Sequence, residues 1–197
     1  MAHRAEIGAG RNDRPDTSEE PDMTTNPIRT TVQAGTWTVE TASTTATFHA
    51  VGLGGAKVRG TIPVDAGRVE VGGSGRPLSV VAVLDAAGVD TGNQRRDKDL
   101  RSKRFLRTDT NPVMRFAAAT VRESATGWTV EGTLAAAGAE CPVVLDVELV
   151  AGSPSDPAGG VRVLATGTVD LRAFGITVPS LIVRRRVRLE VDALLRR

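Results

Sequence analysis

From Thr36 to the C-terminus, apolar side chains recur at every second residue, and no other feature constrains the fold so tightly. A chain with that period pleats into strands whose two faces meet different surroundings. Val143, Leu145, Val147 and Leu149 alternate with a face carrying Asp146 and Glu148, and Val130, Gly132 and Leu134 alternate with Thr129, Glu131 and Thr133. Val161, Val163, Ala165, Gly167, Val169 and Leu171 oppose Arg162, Thr166, Thr168, Asp170 and Arg172. Val187, Leu189, Val191 and Ala193 oppose Arg186, Arg188, Glu190 and Asp192. Each strand therefore has one dry and one wet face, as antiparallel sheets do. The same reading predicts strands over 36–40, 44–51, 57–63, 68–71, 78–84 and 113–121, with Gly72, Gly73, Gly75, Ser124, Gly127 and residues 152–160 in the connections.

Eight or nine strands joined by short links make an antiparallel meander. Closing it into a barrel removes its edges. The one helical interruption is predicted over Asn93–Phe105, with Asn93 as N-cap and Leu100, Phe105 and Leu106 packing the excursion across one end. Pro112 then returns the chain to a strand. The fold class is thus all-β, an antiparallel barrel of about eight strands with a short helical excursion.

At this strand number a barrel is either filled by its own side chains or holds one small ligand. The inward sets are Val, Leu, Ala and Gly, and the chain has only four Phe, two Trp and no Tyr to plug a lumen. An apolar cavity without placed polar groups selects long, greasy molecules and does no chemistry on them. The competing reading is a barrel flattened until its aliphatic groups meet.

Other classes are excluded more simply. One cysteine, Cys141, and two histidines, His3 and His49, allow no internal disulfide and no Cys/His zinc site. A net charge of +2 names no partner. No stretch approaches the ~20 apolar residues of a membrane span, and the N-terminus shows no apolar signal segment of ~7–15 residues, so a cytoplasmic protein is expected. Residues 1–35 carry four arginines, six carboxylates and almost no large apolar group, and are expected to form a tail outside the barrel domain at 36–197.

Three spaced segments carry a resemblance. Trp37-Thr38-Val39-Glu40, followed by Phe48, Leu53 and Val58-Arg59-Gly60, is similar to the opening strands of the YceI-like family. The run from Thr91 to Ser102, followed by Phe105 and Asn111-Pro112-Val113-Met114-Arg115-Phe116, resembles its most distinctive stretch. Gly132-Thr133-Leu134, Gly138, Pro142-Val143 and Arg172-Ala173-Phe174-Gly175-Ile176 form the third segment. The resemblance implies a lipocalin-like barrel whose lumen holds an isoprenoid or another long amphiphile. Where that family usually has histidines, this chain has Ser43, Gly52 and Asp99.

The ligand-binding residues expected from this reading are Phe48, Phe116, Leu134 and Phe174 as lumen or closure positions, with Arg96, Asp97 and Leu100 shaping a helical mouth. Residues 95–107 hold seven basic side chains against Asp97 and Asp99. They form either a basic lip that attracts a pyrophosphate-bearing ligand or an anionic membrane surface, or a solvated helix with i,i+4 ion pairs. The charges lack a series of interleaved aromatic stacking platforms, Phe105 being the single ring in the run, which argues against nucleic acid. Arg185 falls on the inward parity at the barrel's end, and the glycine-rich run 52–60 lies between strands, where a hairpin rather than a phosphate loop belongs. Neither His49 nor Cys141 has a motif partner, and no cofactor, metal or catalytic residue is assigned. Binding or transport of an isoprenoid-like lipid is the expected function. The alternatives are an enzyme acting on a hydrophobic substrate in the pocket and a filled barrel serving as an interaction or stress-related scaffold.

Overall fold

The computed structural model describes residues 32–150, 160–177 and 184–197. Ten strands appear: β1 (Gly35–Val39), β2 (Thr45–Val51), β3 (Lys57–Ile62), β4 (Val64–Val71), β5 (Pro77–Asp85), β6 (Val113–Glu123), β7 (Gly127–Ala136), β8 (Ala139–Leu149), β9 (Val161–Asp170) and β10 (Arg186–Arg196). One helix, α1 (Gln94–Arg101), separates β5 from β6. Two of the barrel's walls are each broken in the middle. A 3-10 turn at Thr41–Ser43 divides β1 from β2, and Pro63 divides β3 from β4. Counting each broken wall once gives eight antiparallel strands in chain order.

Closure comes from β10, which pairs with β2 from Arg188↔His49 to Asp192↔Thr45 and with β1 at Leu195 and Arg196. The Arg196 guanidinium meets Glu40 across this seam. The barrel therefore closes, and among the described residues β3, paired with β2 alone among the strands, is its short remaining edge.

Side-chain parity follows the expected faces. In β6 Met114, Phe116 and Ala118 are buried between exposed Arg115, Ala117 and Ala119, and then the phase slips to Val121. A bulge explains the slip: Ala118 and Thr120 oppose the adjacent residues Gly132 and Glu131.

The helix is shorter than predicted. Asn93 caps it as expected, its side chain accepting from the Arg96 N–H at 3.1 Å. It stops at Arg101 because Ser102 is extended (ψ 168°) and its hydroxyl accepts from the Arg104 N–H at 3.3 Å, the local competition a serine offers at a helix end. Residue Leu171 likewise leaves strand geometry, since Asp170 caps a 3-10 turn over Leu171–Phe174. Val32, read from sequence as tail, is buried in the core, and Gln33 accepts the Trp37 indole N–H at 2.8 Å. The packed region thus begins by Val32, while residues 1–31 of the expected tail lie outside the described residues.

Candidate functional site

The inward faces enclose two adjacent chambers that share part of their lining. One, at the end of the β4–β5 turn, has a volume of about 210 Å³. The other, beneath α1, has about 400 Å³, within the ~300–1,000 Å³ of small-molecule sites. Phe48, Ile62, Met114, Leu134 and Leu189 line both and form the waist between them. Among the described residues, no charged side chain lines the far chamber, where Thr44 and Thr47 bring the only side-chain hydroxyls. Arg96, Asp99, Ser102 and Arg104 line the chamber under the helix, so polarity is confined to one end.

All six aromatic residues line this space, which corrects the expectation that rings are too few to matter. Trp37, Phe48, Phe116 and Trp128 line the far chamber, and Phe105 and Phe174 the near one. Glycines make room for two of them. A Cβ on Gly60 would lie 2.4 Å from the Phe48 ring, and one on Gly132 would lie 2.7 Å from the Phe116 ring. These rings lie against bare backbone instead of crossing the lumen, and the aliphatic remainder leaves it open.

The expected mouth residues divide by role. Leu100 lines the near chamber. Arg96 does too, but its guanidinium is committed: Nε donates to Thr91 Oγ1 at 2.7 Å and Nη2 to the Thr91 carbonyl at 2.9 Å. Asp97 is buried, 5% exposed, and lines neither chamber. It accepts the Thr91 N–H at 3.0 Å and the Thr91 hydroxyl at 2.5 Å, so it fixes the loop entering α1. That loop replaces a missing strand neighbour, because Thr61 of β3 exchanges backbone bonds with Asp90. Asp97→Ala should cost about 2 kcal/mol by leaving both Thr91 donors unpaired, lowering the urea midpoint without changing the slope.

Neither arrangement expected for the basic run 95–107 describes it fully. Arg101 donates to the carbonyls of Ala87 and Val89 at 2.6 and 2.7 Å, so the Asp97–Arg101 pair expected along the helix is replaced by backbone contacts. Arg107, held at φ 53°, reaches the carbonyls of Ala137 and Gly175 at 3.1 and 3.3 Å. Arg107 thus ties the helical excursion to the barrel, while Arg96 and Arg101 tie α1 to the loop that precedes it. Arg95, Lys98, Lys103 and Arg104 are exposed.

A family model, the YceI-like domain, matches residues 37–195. The chain belongs to the YceI-like family. A UPF0312 protein of Serratia proteamaculans is 39% identical over 100 residues, half of this chain and 52% of that protein. The chain thus spans about half the length of the curated relatives it matches. Among solved structures, BcnA of Burkholderia cenocepacia superposes with a TM-score of 0.68 at 16% identity, covering 79% of this chain and 98% of BcnA. A polyisoprenoid binding domain from Saccharophagus degradans superposes at 0.56 with 13% identity, covering 81% and 97%. These likenesses establish the lipocalin-like barrel.

Of the positions where the YceI-like family usually has histidines, Gly52 and Asp99 line the near chamber, whereas the Ser43 hydroxyl points to Glu40 at 3.4 Å. Arg185 is exposed at the rim and the 52–60 run forms the β2–β3 hairpin. His49 lies on the outer face, Nε2 3.9 Å from Glu190. Cys141 is buried, its Sγ donating to the Ala173 carbonyl at 2.9 Å, and burial pushes its thiol pKa up. Thiolate is the reactive form, so alkylation of the native protein at mildly alkaline pH should be far slower than in denaturant, followed by mass spectrometry. Sequence parity located Leu189 among the waist residues. In the sequence Phe105 is assigned to packing and to the family resemblance, Trp37 to the first strand and that resemblance, and Trp128 carries no signal.

Proposed function

We propose that the chain binds a long, isoprenoid-like amphiphile, holding its hydrocarbon through the waist with its polar end toward α1, and does so without transforming it. The observation that carries this reading is the polarity gradient: a far chamber with no charged lining among the described residues adjoins a near chamber bordered by Arg96, Asp99, Ser102 and Arg104. Burying a chain there contributes ~25 cal/mol per Å² of apolar surface removed from water. The family membership and the polyisoprenoid binding described for the Saccharophagus domain support the choice of ligand class. Among the polar groups of the near chamber, the Arg96 guanidinium is held on Thr91 and the Ser102 hydroxyl accepts the Arg104 N–H, which supports binding without turnover. Carriage of such a lipid between sites is the biological role proposed.

Organic extraction of freshly purified protein, paired with native mass spectrometry, tests this. A reproducible bound mass that extracts as a long-chain lipid is expected. A protein that stays empty and refuses every prenyl chain offered would return the barrel to the role of a scaffold.

A further inference from the structure

On the outer surface, three strands place basic side chains side by side in one row: Arg59 of β3 opposes His49 of β2, which opposes Arg188 of β10. Lys57 and Arg186 extend the row on the same face, and Lys57, Arg59, Arg186 and Arg188 are all exposed. Among the described residues, two carboxylates face it. Glu190 lies 4.0 Å from Arg188 and 3.9 Å from His49, and Asp170 opposes Arg186 while its Oδ1 accepts the Arg172 N–H.

This row lies at the end of the barrel where the lumen is polar. An open groove of about 750 Å³ is lined by His49, Lys57, Arg59, Arg186 and Arg188, by Thr168 and Asp170, and by apolar residues. Three of the latter, Ala50, Val58 and Val169, also line the near chamber, so the groove and the lumen share a wall. Arg104, from the other basic cluster, lines the same chamber from the α1 side, and Arg95, Lys98 and Lys103 are exposed around it. Asp99 is the exposed carboxylate among them.

We infer that this end of the barrel docks on an anionic phospholipid bilayer, with the outer row and the exposed α1 cations meeting the headgroups while the near chamber faces the lipid. The inference rests on the reading of the lumen as a lipid site and adds the surface from which the lipid arrives. Charge complementarity selects the partner: a negatively charged plane is wide enough to engage cations on β3, β10 and α1 together. The shared wall sets the near chamber directly behind that surface.

Vesicle flotation tests it, using the full chain with phosphatidylcholine vesicles and with vesicles containing about a third phosphatidylglycerol. Binding is expected only to the anionic vesicles and should fall as salt is raised. Each cation near such a surface contributes about fivefold, so Arg59→Ser/Arg188→Ser should weaken binding on the order of twentyfold. Lys57→Ser/Arg186→Ser gives a second reading should the first variant fold poorly. Arg76→Ser, in the turn at the opposite end, should bind as wild type does. Equal binding to neutral vesicles, full retention by both double variants, or an equal loss in Arg76→Ser would overturn the inference. Uptake of a prenyl probe from vesicle-free solution is measured alongside and should match wild type in Arg59→Ser/Arg188→Ser. Uptake without flotation overturns docking alone, whereas flotation without uptake overturns the lumen reading instead.

Discussion

Leu134→Trp is expected to abolish high-affinity binding of long prenyl chains while sparing short ones. Leu134 belongs to the waist, lining both chambers and pairing across strands with Phe116 and Cys141. An indole there fills the passage and confines any ligand to the chamber beneath α1. Each excluded methylene forfeits about 0.8 kcal/mol, so shutting out roughly five weakens binding about a thousandfold. Competition binding with a short and a long prenyl alcohol provides the measurement. Equal losses for both would mean that the far chamber takes no part, and no loss for either would place the ligand elsewhere.

The second large effect is expected at Gly132. A Cβ at this position would come within 2.6 Å of the Ala117 carbonyl oxygen, 2.7 Å of Ala118 Cβ and 2.7 Å of the Phe116 ring. Gly132→Val must shift β6 backbone and push Phe116 into the lumen. A loss of about 3 kcal/mol follows, or roughly 10 °C in melting temperature for a domain of this size. Gly73→Ala is the control, because nothing lies within 4 Å of its Cβ. Adding Phe116→Leu to Gly132→Val should recover only part of the loss, since the backbone oxygen remains in the way. A Gly132→Val protein melting with wild type would remove the claim that glycine makes room for the ring.

The barrel was legible in the sequence because period two is a strong signal where one face is dry. Val143 to Leu149 and Val187 to Ala193 turn the faces the alternation assigned to them, and both line the lumen. Local competition was less legible. Ser102 ends α1 early and Asp170 ends β9 early, each through a side chain that bonds nearby backbone. At the candidate site, Phe48, Phe116, Leu134 and Phe174 line the lumen. Asp97 does not, and in sequence a buried carboxylate serving Thr91 looks the same as a charge at a mouth. The roles of Arg96, Arg101 and Arg107 were hidden for a related reason: their partners are mostly backbone carbonyls, which no residue pattern announces. The outer row of Arg59, His49 and Arg188 depends on strand register between segments far apart in the chain, so counting charges along the sequence could not assemble it.

The central claim is that one chain of hydrocarbon occupies both chambers through the waist. Titrating the wild-type protein with a homologous series of prenyl alcohols, with affinity recorded against chain length, tests it most directly. Affinity should climb steadily with each added unit and level off once the far chamber is full. A series in which affinity does not depend on length would contradict it.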